Sequence, residues 1–412
     1  MGLIYSMLIH LYGFGVRVAA LFGGKAKLWR KGRIGLFEKL ENDFAGVDRK
    51  KNPVIWFHVS SLGEFEQGRP VLEAMRAQWP EKRILLSFFS PSGYEVRKNF
   101  PGADFIFYLP LDTPSNARRF LATVQPEMVF FVKYDFWFNF MKVIHDLQIP
   151  LYYISVILRK DQHFFKWYGG WSRSQLRNVT HFFVQNQETA GLLKSIGVEK
   201  VTVTGDTRFD RVFDLTMQPV SLPLIEKFCA GNHVFVIGSS WEPDEAICNP
   251  LLQRRDLNLK FIIAPHDTSP ARIKFVREHL NQPAVCYSEL KEGMVSAANI
   301  LIIDSVGILS QLYRFATVAF IGGGFGSGIH NIQEPITFGV PVFFGPNYTK
   351  FREAMDLVAL HGAFSVTSPD EIVEKVAEII GNPLEYKKIS SICTSYVENN
   401  RGATKKVMEH LE

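Results

Sequence analysis

One block constrains this chain more than any other: Phe320-Ile-Gly-Gly-Gly-Phe-Gly-Ser-Gly-Ile-His-Asn-Ile-Gln-Glu334-Pro335, running on to Gly339-Val-Pro-Val-Phe-Phe-Gly345-Pro346. Residues 318–321 read as a buried strand. Five glycines follow within 322–328, then a short helix carrying Asn331 and Glu334, then a second strand at 340–344. Glycines at a strand-to-helix turn, Gly323 and Gly324 among them, let the backbone approach a phosphate. The helix N-terminus then supplies free N–H groups and a positive dipole end. A carboxylate one turn into that helix, Glu334, is placed to accept hydrogen bonds from ribose hydroxyls. No G-x-G-x-x-G frame fits these glycines and no G-K-[ST] follows them, which excludes a dinucleotide fingerprint and a P-loop.

From Pro53 the same alternation recurs. Apolar runs at 54–59, 84–88, 105–109, 128–132, 151–155, 181–185 and 201–204 are separated by stretches of helical spacing. A second series lies at 234–237, 259–263, 284–287, 300–303, 317–321 and 340–344. Continuous apolar strands alternating with helices predict parallel sheets covered on both faces. At 412 residues the chain exceeds one ordinary core. The expected fold class is α/β, with two doubly wound Rossmann-like domains facing a cleft. The first spans 34–212. Pro219 and Pro223 break the rhythm, so 213–232 reads as a linker. The second spans 233–412 with C-terminal helices, whose polar, basic end has the option of crossing back onto the first domain.

Residues 1–33 stand apart. Leu3 to Phe22 is predominantly apolar over about 20 positions, the length that spans a bilayer. His10, Gly13, Gly15 and Arg17 interrupt it. No basic residue precedes it and no small-residue pattern closes it, so a removed signal peptide is not expected. Lys25, Lys27, Arg30, Lys31 and Arg33 follow at once, a flank that holds the body on the cytoplasmic side and attracts anionic headgroups. The expectation is an uncleaved anchor or interfacial helix, Arg17 favouring the interface; a buried core helix is the alternative. A net charge of +5 over the whole chain gives no reason to expect nucleic acid as a partner. The 35 phenylalanines call for a large core or a lipid-facing surface. Four scattered cysteines read as reduced, mostly buried thiols, and no H-x-x-x-H pattern suggests a metal.

Polar residues gather at the strand ends. His58-Val-Ser-Ser-Leu-Gly-Glu64 leaves a strand and opens a helix. There Glu64 is either a general base for a hydroxyl or a first-turn acid on the helix dipole. Ser239 and Ser240 in the Gly238–Glu245 turn suit a phosphate, or serve as ordinary caps. His266 ends the next strand, as a phosphate donor or a structural residue. Asp304 ends another, where it can cap the helix after it. Together these mark the edge at which open α/β sheets bind ligands.

Taken in order, the segments resemble the bacterial 3-deoxy-D-manno-octulosonic acid (Kdo) transferases. The likeness covers nearly the whole chain. It runs from the apolar N-terminal helix through His58–Glu64, Tyr108-Leu-Pro-Leu-Asp112, Gly205-Asp-Thr-Arg-Phe-Asp210, Gly238–Glu245, Ala264-Pro-His266 and Asp304-Ser-Val-Gly307 to Gly322–Pro335 and Gly345-Pro346. The resemblance implies a GT-B fold, CMP-Kdo as donor, a lipid A precursor as acceptor, and inversion without a metal or other cofactor. It also implies a place on the cytoplasmic face of the inner membrane. Glu64 would be the general base, and His266, Asp304, Asn331 and Glu334 would bind CMP. The chain departs from the family pattern at Lys133-Tyr-Asp135, where Glu-x-Glu is usual. It departs again at Pro265-His266-Asp267, where an arginine is missing; Arg159, Arg208 and Arg211 are candidates for the lost charge. Two rivals remain: the same fold acting on another nucleotide sugar, as a UDP-sugar transferase or epimerase, and a non-catalytic membrane-tethered binding protein.

Overall fold

The computed structural model describes residues 1–280 and 282–412. The chain divides into two units, 1–210 together with 401–412, and 211–400. Each is built on one seven-stranded sheet. The first contains β1 (Val54–Val59), β2 (Arg83–Phe88), β3 (Phe105–Tyr108), β4 (Pro126–Val132), β5 (Leu151–Val156), β6 (His181–Val184) and β7 (Val201–Val203). Its strand order is β3-β2-β1-β4-β5-β6-β7 and every neighbouring pair is parallel. The second contains β8 (His233–Ser240), β9 (Leu259–Pro265), β10 (Ala284–Cys286), β11 (Ile300–Ile302), β12 (Val318–Ile321), β13 (Val342–Phe344) and β14 (Ala363–Ser365). Its order is β10-β11-β9-β8-β12-β13-β14, again parallel throughout. The doubly wound α/β expectation therefore holds within each unit.

Burial on both faces explains the apolar runs. Ile55, Phe57 and Val59 enter one core cluster, Val54 and Trp56 the opposite one. Much of the phenylalanine content sits here as ladders across neighbouring strands. Phe57, Phe130, Tyr152 and Phe183 follow one another at ring separations of 4.9, 5.0 and 6.3 Å. On the other face Trp56, Phe131, Tyr153 and Phe182 do so at 5.4, 5.5 and 5.3 Å. Such cross-strand pairs add to the burial term. The four cysteines are buried and unpaired.

The N-terminal segment forms α1 (Gly2–Ala19), α2 (Gly24–Lys31) and α3 (Leu36–Phe44). Residues Gly2–Phe22 are long and apolar enough to cross a membrane, yet one side of α1 lies along the first unit. Tyr5 donates to Asp112 at 2.6 Å, and Ser6 meets Asn139 at 3.1 Å. Gly13 sits where any Cβ would strike Leu111. Asp112 also accepts the N–H groups of Asn139 and Phe140. One carboxylate therefore caps the helix Phe138–Asp146 and holds α1 in place. Arg33 closes the segment, donating to Leu109 and Phe89 carbonyls at 2.8 and 2.9 Å with its guanidinium stacked 3.8 Å above Trp29. The opposite side of α1 exposes Leu3, Met7, Leu11 and Phe14. The buried-core alternative for this helix is thereby corrected.

The domain boundaries differ from those read in the sequence. Residues 213–232 are not an open linker: they lie largely within helices Arg208–Met217 and Pro223–Cys229. The first unit ends at Asp210, not 212, and the helix Ala403–Leu411 belongs to it rather than to the second. The reason is Asp210, whose carboxylate accepts the N–H of Gly402 and, at 2.7 Å, that of Thr404. Val407 and Met408 then enter the first unit's core.

Phe130, fully buried between Phe57 and Tyr152, is a direct test of the ladder. Phe130→Ala should cost about 3–5 kcal/mol, seen in urea as an earlier midpoint for the transition of the first unit.

Candidate active site

Chain order reverses between β1 and β4, so the loops leaving these neighbours feed helices on opposite faces, the position at which open α/β sheets bind ligands. Glu64 lies in the first turn of the helix after β1, and Asp135 on the loop after β4. Ser61 caps α4 (Leu62–Gln78), its hydroxyl accepting from the Glu64 N–H at 3.4 Å. Glu64 Oε2 returns the bond, accepting from the Ser60 and Ser61 N–H groups at 2.7 and 2.9 Å. The helix-stabilising reading of Glu64 is thus present in the geometry. The same carboxyl also meets the Asp135 side chain, so the cap fixes a group that has further chemistry open to it.

Burial raises the Glu64 pKa, partly offset by the Ser60 N–H and the Lys133 charge. Burial, then the charge of Glu64, pushes Asp135 up to about 8. Raised in this way, Asp135 favours its protonated form at neutral pH beside Glu64. Beneath it lies His58, fully buried. The Trp137 indole, a donor only, gives its N–H to Nε2 at 2.9 Å, so Nδ1 carries the proton and donates to Ser87 at 2.9 Å. Trp56 donates to the same hydroxyl at 2.7 Å. Burial depresses the His58 pKa to about 3, and its Nε2 stands 3.7 Å from Asp135. His58 is a neutral, clamped ring.

In the second unit the order reverses between β8 and β12. Asp244 Oδ2 accepts from the Trp241 and Gly323 N–H groups, both at 2.9 Å, and so ties the two exit loops together. A Cβ at Gly322 would lie 2.3 Å from the Ser239 carbonyl, and one at Gly324 would lie 2.5 Å from the Gly345 N. These glycines let three loops pass in contact. The expected strand-to-helix turn is corrected here: the helix is only Gln333–Thr337, Asn331 precedes it, and no helix starts at the glycines. The N–H groups of Gly322, Gly323, Gly326 and Gly328 are engaged within the protein.

The remaining predicted residues divide. Ser239 takes a left-handed turn (φ 53°), while buried Ser240 donates to Glu245 at 2.7 Å, beside Arg272 at 2.6 Å. Asn331 donates to Glu334 at 3.2 Å; burial raises the Glu334 pKa, and the Arg211 charge lowers it in part. Asp304 does not cap the helix after its strand. It accepts from the backbone and hydroxyl of Ser288 and closes the turn after β10. Among the candidate cations, Arg208 is ion-paired to Asp206 at 2.6 Å and Arg159 to Asp161 at 3.5 Å. Sequence reading missed a ring stack: Trp241 on His266 (4.8 Å, 30°) and His266 on His330 (4.4 Å, 20°). Burial holds His330 neutral, near 4. The residues lie 25 and 64 positions apart along the chain, so only the strand order reveals them as neighbours. Among the described residues no group of three or more His, Cys, Asp or Glu is close enough to hold a metal.

Comparison with known proteins adds to this geometry. Residues 30–211 match the family model of 3-deoxy-D-manno-octulosonic-acid transferase (kdotransferase). Curated 3-deoxy-D-manno-octulosonic acid transferases are similar over most of the chain. That of Chlamydophila psittaci is 26% identical, covering 81% of this chain and 78% of its own length. The Haemophilus influenzae protein is 24% identical, covering 87% and 86%. The Aquifex aeolicus protein is 26% identical, covering 89% and 98%. Among solved structures, UDP-GlcNAc 2-epimerase from Neisseria meningitidis superposes with a TM-score of 0.61 at 18% identity, covering 87% of this chain and 99% of its own. It shares the fold.

The raised Asp135 pKa has a measurable consequence. Natively Asp135 keeps its proton up to about pH 8, whereas unfolded aspartate releases it near pH 4, so wild-type stability declines across that window. Asp135→Asn, which cannot ionise, should therefore gain thermal midpoint over wild type as pH rises from about 5 to 8. A difference independent of pH would exclude the raised Asp135 pKa.

Proposed function

We propose that the chain is a Kdo transferase, a glycosyltransferase of lipopolysaccharide biosynthesis that moves Kdo from CMP-Kdo to a lipid A precursor; its likeness to proteins of that family over most of its length supports the reading. The observation that carries this reading is the Glu64–Asp135 pair at the switch point of the first sheet. In a GT-B enzyme the first unit takes the acceptor and the second the donor. With Asp135 protonated beside it, Glu64 is the carboxyl left to take a proton, which is what a general base requires. Glu64 takes the acceptor hydroxyl proton as that oxygen attacks the anomeric carbon of Kdo. The bond from that carbon to phosphate breaks, its electron pair leaves with CMP, and the configuration inverts. The Ser60 and Ser61 N–H groups fix the Glu64 carboxyl beforehand, so little reorganisation accompanies the transfer.

On the donor side, the exposed indole of Trp241, backed by His266 and His330, offers a platform on which the cytosine can stack. Ser239, Gly324, Asn331 and Glu334 take the phosphate and ribose. Asp304, turned toward Ser288, serves them through its loop. The reaction is assigned no metal. The outward apolar side of α1, with Lys25, Lys27, Arg30 and Lys31 exposed beyond it, lies in the cytoplasmic interface of the inner membrane.

Glu64→Gln should lower transfer by roughly 10²–10⁴-fold, read by mass analysis of the lipid product, while CMP binding measured by calorimetry stays as in wild type. Undiminished turnover would remove Glu64 from the role. Trp241→Ala should weaken CMP about tenfold or more, the order expected for losing one base stack. Wild type should prefer CMP to UMP; a preference for UMP would favour a uridine-dependent transferase or epimerase on the same fold.

A further inference from the structure

We propose that the Trp167–Tyr168 turn is a second membrane contact of the first unit, entering the headgroup region of an anionic bilayer beside α1. The inference rests on the membrane-association reading and extends it to a site outside the N-terminal segment. Trp167 is 91% exposed and Tyr168 52%, their rings edge to face at 5.6 Å. The two rings form a small apolar patch at the tip of the turn.

The turn is held rigidly. The Gly169 N–H bonds the Lys166 carbonyl at 3.0 Å, and Arg173 donates to the Lys166 carbonyl at 2.9 Å and to that of Phe164 at 3.3 Å. Phe164 is buried in the core, and a Cβ at Gly169 would lie 2.4 Å from the His163 carbonyl. The aromatic tip is therefore presented on fixed backbone, and little ordering is left to oppose insertion.

Position and charge select the occupant. Trp171, four residues on, packs on Tyr5 at 5.7 Å and against Gly2. The tip thus flanks the first turn of α1, where Leu3 is 89% exposed, and the outward residues Met7, Leu11 and Phe14 continue the apolar surface. Beside it runs a groove of about 860 Å³ between helices Gly170–Leu176 and Gln187–Ser195, whose lining includes Lys160, Arg173 and Arg177 against the single acid Glu188. Tyrosine and tryptophan next to exposed cations are what an anionic lipid interface accommodates.

The test uses the full chain and vesicles of phosphatidylethanolamine with phosphatidylglycerol. The double variant Trp167→Ser, Tyr168→Ser should partition about tenfold more weakly than wild type, the scale of withdrawing one aromatic side chain from an apolar phase, with CMP binding unchanged as the check on folding. Partitioning equal to wild type would overturn the second contact while leaving α1 as the anchor. Failure of the wild type itself to bind vesicles would overturn membrane association altogether. In brominated-lipid vesicles, quenching of tryptophan emission should be smaller in Trp167→Phe than in wild type; equal quenching would also overturn the proposal.

Discussion

Strands that run parallel and are covered on both faces have no place along their length for an ion or an unpaired donor. The carboxyls and glycines of the candidate sites therefore gather at or beyond the strand ends, and the winding order decides which of them meet. In the first unit the reversal at β1 and β4 brings Glu64 to Asp135. In the second, the reversal at β8 and β12 brings Asp244 to Gly323 and leaves Trp241, His266 and His330 stacked in the segments that follow three adjacent strands. Even the attachment of α1 obeys the rule, because Asp112 follows the end of β3.

The carboxyl pair illustrates how neighbouring groups divide their duties. Glu64 would be a poor base if it swung freely, and the α4 cap prevents that. Asp135 would be a poor companion if His58 took its proton. The imidazole is unsuited to do so, since its Nε2 lone pair is occupied by Trp137 and burial opposes its charge. Asp135, one methylene shorter than a glutamate, still places a carboxyl at this position. Lys133, whose charge favours ionised Glu64, offsets part of the cost of burying a negative group there.

Much of this was legible in the sequence. Thirteen strands announce themselves as apolar runs because burial on two faces demands it; β14, only Ala363–Ser365, carries too little pattern to be seen. Glu64 reads from the sequence as a general base or a first-turn acid; that it closes a capping box with Ser61 emerges only in the fold. What the sequence conceals depends on distant parts of the chain meeting. The glycines at 322–328 read as a phosphate turn, whereas several of them are required by loops that touch. Asp304 reads as the cap of the helix that follows, but Ser288 on the neighbouring strand end claims it. The grip of Asp210 on Gly402 and Thr404 spans the entire second unit and has no local signature.

That grip has a consequence for biogenesis. The ribosome completes the second unit before it makes Val407 and Met408, so the nascent first unit waits with a gap in its apolar interior. Until residues 403–411 emerge, this surface is a natural landing place for a holdase chaperone. Interrupted translation products would display it indefinitely, which marks them out for proteolysis.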